Sequence, residues 1–164
     1  MEIILSLAVL AVTIFLFFYV MSGPPYLPSR VEKVEKAVEI SKVKPGMKVV
    51  DLGSGDGRIV IAFAKKGAEA HGYEINPALV WLSRRNIKKS GLEGKAFIHT
   101  ASFWKQNFSD FDVIVIYGIS HIMNRLQRKL QKELKPGARV IACLFPFKKW
   151  EPVKKEDGVY LYVI

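Results

Sequence analysis

The run Val49-Val50-Asp51-Leu52-Gly53-Ser54-Gly55-Asp56-Gly57-Arg58-Ile59 carries the residues best placed to do chemistry. An apolar stretch ending in an acid leads into three alternate glycines and then into a helical pattern. Glycines so spaced let the backbone bend sharply and come close to a ligand, where a Cβ would collide. A second apolar stretch ends in another acid at Gly72-Tyr73-Glu74-Ile75-Asn76. Neighbouring parallel strands, one ending in glycines and the other in a carboxylate, make a nucleoside site.

The details narrow the nucleoside. A dinucleotide fingerprint reads G-x-G-x-x-G, whereas here Arg58 stands at the sixth position of the pattern that starts at Gly53. No Walker lysine follows the glycines. The spacing D-x-G-x-G-x-G resembles motif I of the class I S-adenosylmethionine-dependent methyltransferases. The resemblance implies S-adenosyl-L-methionine as cofactor, with Glu74 gripping both ribose hydroxyls through its two acceptor oxygens. An NAD-type site and a glycine turn that binds nothing are the alternatives.

These motifs need a scaffold. Strands are expected over 48–52, 70–75, 96–101, 111–117 and 138–145, alternating with helices. Ser29 and Glu32 read as a capping box opening the first helix. Asn76-Pro77 reads as an N-cap followed by proline at the first helical position. Ile122, Leu126, Leu130 and Leu134 recur at four-residue steps in the last helix. Residues 150–153 and 159–164 read as a terminal hairpin around Asp157-Gly158. Strand–helix alternation predicts an α/β fold: a Rossmann-like, doubly wound, mostly parallel sheet with an antiparallel C-terminal edge.

Composition sets further bounds. The 164 residues suffice for one domain with a core, and the formal charge is +10. The basic residues are spread along the chain without aromatic interleaving, which argues against nucleic acid as substrate. The single cysteine, Cys143, stands in an apolar run, so no disulfide or metal cluster is expected. Ile3–Met21 is 19 residues without a charge, a length and composition that predict a transmembrane helix. The expected organisation is therefore a transmembrane helix over 1–22, a proline-rich linker over 23–28 and a catalytic domain over 29–164. Basic residues begin at Arg30, after the apolar stretch. Positive-inside reasoning then predicts a single-pass membrane protein with its domain on the cytoplasmic side, at the mitochondrial inner membrane in a eukaryote.

A narrower resemblance rests on segments in one order: Pro25-Tyr26-Leu27-Pro28-Ser29, the glycine loop, GYEINP, Leu134-Lys135-Pro136-Gly137, Phe145-Pro146 and Trp150-Glu151-Pro152-Val153. Together they resemble the mitochondrial protein-lysine methyltransferases that act on the ATP synthase c-subunit and on the adenine nucleotide translocase. The chain's C-terminal segment is similar to the small archaeal lysine methyltransferases. The resemblance implies that Asp51, Gly53, Ser54, Gly55 and Gly57 form the loop under the methionyl part of the cofactor. It implies a flap over the cofactor at Tyr26, and Ser102 at the adenine, where many class I enzymes carry Asp or Asn. After the fourth strand the chain has Ile116-Tyr117-Gly118, not the Asn/Asp-Pro-Pro motif of amino-purine methyltransferases.

The implied acceptor is a lysine of a protein substrate, expected to be membrane-embedded, with the lipid bilayer engaged through the N-terminal helix. Tyr117 is the candidate catalytic residue. Phe145 and Trp150 are the candidates for an aromatic channel that desolvates the amine. Tyr117 as an ordinary strand-end aromatic is the alternative. Two other functional readings stay open: a methyltransferase for a lipid or small amine, and a non-catalytic nucleoside-binding module.

Overall fold

The computed structural model describes residues 5–7, 9, 10, 13, 29–118 and 120–164. The elements in chain order are α1 (Val31–Ser41), β1 (Lys48–Leu52), α2 (Arg58–Ala64), β2 (Glu69–Glu74), α3 (Pro77–Lys89), β3 (Ala96–Thr100), a 3-10 turn (Phe103–Lys105), β4 (Val113–Ile116), α4 (Ser120–Glu133), β5 (Arg139–Cys143), β6 (Lys154–Glu156) and β7 (Val159–Val163). They form a seven-stranded sheet in the order β3-β2-β1-β4-β5-β7-β6. The first five strands run parallel, and β7 pairs antiparallel with both β5 and β6. The strand order reverses between β1 and β4, and open α/β sheets bind ligands at that crevice.

Residue alternation along the strands builds two cores. Val49, Val113, Val115, Ile141 and Val159 face α1, α2 and α3. Val50, Ile114, Ile116, Val140 and Tyr162 face α4. Strands β4 and β5 are apolar on both faces because both are covered, as expected for central parallel strands. Asp51 is the exception in the buried part of β1: an acid 2 % exposed among Val49, Val50 and Leu52.

Several boundaries differ from the sequence reading. Helix α1 is entered through Arg30, which makes no side-chain cap. Ser29 lies one residue earlier, and its carbonyl accepts from Arg58 Nη1 at 2.6 Å. The Asn76 cap is as expected, with its side chain accepting from the Ala78 N–H at 3.0 Å. The first arm of the hairpin is β6, not 150–153. Pro152 has no N–H to give a ladder, and Trp150 is engaged in aromatic packing; pairing starts from the Val153 N–H on the Leu161 carbonyl.

The N-terminal expectation is corrected. Among the described residues, no helix is long and apolar enough to cross a membrane. In the stretch expected to span, the described helical positions are 5–7, 9, 10 and 13. The placement as a single-pass membrane protein is therefore not retained. The remainder of that stretch, the linker and Tyr26 lie outside the described residues.

Candidate active site

The site is built at the carboxyl ends of β1, β2 and β4. Glu74 ties it together. Its Oε2 accepts from the Gly55 N–H at 3.0 Å. Its Oε1 accepts from the Ile75 and Asn76 N–H groups, both at 2.8 Å. Its carbonyl accepts from the Ala101 N–H at 3.1 Å, which draws the end of β3 to the same place. One residue thus fixes the glycine loop, the entry to α3 and the segment holding Ser102.

The glycine loop is held from within. Gly53 and Ser54 donate to the Tyr73 carbonyl at 2.9 and 3.0 Å, and Gly57 donates to the Ser54 carbonyl at 2.8 Å. A loop built to cradle phosphate keeps such N–H groups pointed at the anion. Here the groups of Gly53, Ser54, Gly55 and Gly57 are already used inside the protein.

Charge points the same way. Asp51, Asp56 and Glu74 surround the loop, and Arg58 pairs with Asp56 at 2.7 Å. The Asp51 Oδ1 is buried without a hydrogen-bond partner among the described residues. Burial first, then the Glu74 and Asp56 charges, push the Asp51 carboxyl up to about 8. The loop surface itself is open, since a Cβ at Gly53 would meet nothing within 4 Å. An open loop with used N–H groups and surrounding carboxylates suits a nucleoside that carries positive charge. S-adenosylmethionine, with its ammonium and sulfonium, fits these residues; a dinucleotide pyrophosphate does not.

Two of the glycines serve packing. Gly57 has φ +82°, and a Cβ there would lie 2.8 Å from the Ser83 Cβ, so α3 packs directly on the loop. The Asn86 Nδ2 completes that contact by donating to the Asp56 carbonyl at 3.0 Å. Ser54 is 4 % exposed and lies over Gly72, where a Cβ would come within 2.5 Å of the Ser54 Cβ. The serine side chain is thus packed beneath the loop. Ser102 caps the 3-10 turn, and its carbonyl accepts from Lys105 N–H at 3.2 Å and Gln106 Nε2 at 3.3 Å.

On the acceptor side, Tyr117 follows β4 half-buried against the three-helix face. Burial raises the pKa of its phenol; the Cys143 charge adds to the rise and Arg30 opposes it. Cys143, level with it on β5, has its thiol pushed up to about 12 by burial and then by Asp51. It is therefore neutral and a poor nucleophile. Phe145 is 39 % exposed just beyond β5. Trp150 packs with Phe147 and Tyr162, at ring separations of 5.4 and 4.9 Å, against the α4 face. The structure gathers Asp51, Tyr117 and Cys143 on one face and sets Trp150 on the other.

Three contributors escaped the sequence reading. Ile75 is an apolar side chain 48 % exposed beside Glu74, available to lie against a base. Arg58 joins the loop to Ser29 through Asp56 and the Ser29 carbonyl. Gly72 makes room for Ser54. Only Gly72 carried a signal, since a glycine inside a strand marks close approach.

Comparison with known proteins settles the family. Residues 51–154 match the family model described as the ANTKMT methyltransferase domain. The chain belongs to that methyltransferase family. The human lysine N-methyltransferase of the ATP synthase C-subunit is 46 % identical over 128 residues, covering 78 % of this chain and 54 % of that protein. The chain thus spans about half the length of that relative. A protein-lysine N-methyltransferase of Saccharolobus islandicus (strain REY15A) is 39 % identical over 150 residues, covering 85 % of this chain and 93 % of that protein. Among solved structures, an RNA methyltransferase from Salinibacter ruber with bound S-adenosyl-L-homocysteine superposes with a TM-score of 0.80 at 31 % identity, covering 84 % of this chain and 94 % of that one. The seven-stranded sheet is thus the methyltransferase fold, with the glycine loop and Glu74 at the carboxyl ends of β1 and β2.

Proposed function

We propose that this chain is an S-adenosylmethionine-dependent methyltransferase whose acceptor is the ε-amine of a protein lysine. The observation that carries the cofactor is the glycine loop, whose N–H groups are used internally while Asp51 stays buried with an unpartnered oxygen. Glu74 has acceptor capacity left after its three backbone bonds, because each carboxylate oxygen carries two lone pairs. The one remaining site, on Oε2, would accept from one hydroxyl of a ribose. Asp51 faces the cationic end of the ligand, and Ile75 and the Ser102 segment flank the base. When bound, S-adenosylmethionine supplies a methyl group already activated on a sulfonium.

What remains for the protein is alignment and desolvation. A lysine amine must be neutral to attack, and its reference pKa is about 10.4. Tyr117 offers a phenol that stays protonated at neutral pH, so it can orient the nitrogen without adding charge. Phe145, exposed at the same end of the sheet, provides apolar surface that disfavours the ammonium form. Cys143 stays neutral beside them and does not compete for the methyl group.

The lysine acceptor is supported by the named activities of the human and archaeal relatives. A membrane-embedded target is the finer part of the proposal, supported by the ATP synthase component named for the human relative. The RNA acceptor named for the Salinibacter protein is the competing reading. One experiment separates them. The full chain is given methyl-labelled cofactor with total protein and with total RNA, and mass spectrometry locates the label. Methyl-lysine in protein supports the proposal; label confined to RNA overturns it.

A further inference from the structure

Leu144 occupies a backbone conformation that leucine avoids. Its φ is +74°, in the left-handed region. Among the described residues two other non-glycine residues have positive φ, and each has a local reason. Lys42, at +49°, caps the C-terminus of α1, and Asp157, at +47°, begins the tight Asp-Gly turn between β6 and β7. Leu144 closes no helix and joins no hairpin. Its side chain gains little by packing, since it is 42 % exposed. A branched apolar residue held here pays in backbone strain without recovering it in burial.

The strain is imposed from both sides. The Leu144 N–H donates to the Gly158 carbonyl at 2.9 Å, and β5 before it is locked into the sheet. The hairpin turn is itself fixed, because Lys33 of α1 donates to the Asp157 carbonyl. Phe147, three residues on, is buried and donates its N–H to the Tyr162 Oη at 3.0 Å. Leu144 and Phe145 therefore stand on a short arch between two anchors, both exposed. Strained residues persist where surroundings over-determine them, and they collect at functional sites.

The arch lies at the carboxyl rim of the sheet, next to the end of β4. Ile116 pairs with Ala142, so the segment after β4 with Tyr117 and the segment after β5 with Leu144 leave the sheet side by side. The exposed leucine thus stands near Tyr117 at the carboxyl rim of the sheet.

We propose that Leu144 is a specificity-determining residue for the acceptor, reading an apolar side chain next to the target lysine. This rests on the lysine-methyltransferase reading above. The arch presents Leu144 and Phe145 together, so an apolar neighbour of the lysine buries area against both while the amine reaches Tyr117. A charged neighbour would lose water there with no partner.

The test uses the full chain, S-adenosylmethionine and peptides with one lysine flanked on both sides by leucine, serine or glutamate. The wild type is expected to favour leucine flanks over serine at least tenfold in kcat/KM, mainly through KM. Leu144→Gly and Leu144→Asn, which suit a left-handed backbone, should keep the wild-type affinity for S-adenosylhomocysteine and a thermal midpoint no lower than the wild type. They should also bring the flank preference close to one. A purely structural role would lower the midpoint and spare the preference. Methylation without flank preference in the wild type, or an unchanged preference in both variants, overturns this inference alone. No methylation of any lysine peptide overturns the lysine reading and this inference with it.

Discussion

The Glu74 carboxylate holds the Gly55 N–H at 3.0 Å, joining the glycine loop after β1 to the end of β2 before any ligand is bound. The acid that the sequence marks as a ribose grip is therefore also a structural tie. Its other oxygen holds two further N–H groups. In Glu74→Gln the amide NH2 would face an N–H donor on one side or the other. We expect loss of about 1–3 kcal/mol of stability and at least a hundredfold weaker binding of S-adenosylhomocysteine. Thermal melting and calorimetric titration measure the two. Wild-type affinity in this variant would remove Glu74 from the ligand site.

Asp51 predicts a pH dependence. Its carboxyl titrates near 8 in the folded protein against an ordinary 3.8. Between those values the folded chain holds a proton that the unfolded chain has released. Stability contributed by this group is therefore full below about pH 4 and is lost as pH rises towards 8. A cationic ligand favours the charged carboxylate, so binding in this window should release a proton. The calorimetric enthalpy of cofactor binding at pH 7 should then vary with the ionisation enthalpy of the buffer. Asp51→Asn should abolish that variation, weaken cofactor binding and raise the melting temperature of the free protein at pH 8. Identical enthalpies in phosphate and Tris for the wild type would rule the linkage out.

Both of these residues were visible in the sequence because each acid ends an apolar strand beside glycines or a helix cap. The motif showed where Asp51 and Glu74 stand. It could not show that the loop's N–H groups are consumed internally, since that depends on the Tyr73 carbonyl 20 residues away. Strand periodicity placed β1 to within a residue at both ends because Lys48 and Gly53 bracket it. The same reasoning misplaced β6, whose three residues Lys154, Lys155 and Glu156 carry no apolar pattern. Trp150 has the composition of a substrate aromatic, yet which face of the sheet it covers is decided by Phe147 and Tyr162. Apolar composition at the N-terminus likewise reads as a span but does not by itself establish one. Leu144 has no sequence signal, since its strain comes from the Gly158 contact across the hairpin.

Gly72 offers a test of the packing beneath the loop. A Cβ at this position would lie 2.5 Å from the Ser54 Cβ and 2.8 Å from the Ile98 Cδ1. Gly72→Ala should cost about 1–3 kcal/mol by overpacking and should weaken cofactor binding, because the displaced serine belongs to the glycine loop. Removing the serine side chain as well, in Gly72→Ala with Ser54→Gly, should recover part of the stability. Urea melts of the two single variants and the double variant measure the coupling. Strict additivity would show that the clash is relieved elsewhere.

The opposite face of β2 and β3 carries a second titrating group. His71 Nδ1 and His99 Nε2 are 2.9 Å apart, and His71 Nε2 lies 3.0 Å from Glu69 Oε1. Tyr73 stacks on His99 at 4.9 Å and Phe97 on His71 at 5.1 Å. Only one proton can sit between the two imidazoles, so protonating both forces like charges together. Burial, then His71 and Arg84, hold the His99 pKa below its ordinary 6.5. Because the folded value is depressed, the unfolded chain takes up the proton first. Stability from His99 is therefore present above about pH 6.5 and is lost as pH falls through its folded pKa. His99→Gln should flatten the acid limb between pH 7.5 and 5 while leaving cofactor affinity at pH 7.5 unchanged, since the His99 side chain lies against His71 and Tyr73 and not against Glu74. Denaturant melts at the two pH values read the effect. An acid loss as large in the variant as in the wild type would assign it to carboxylates elsewhere.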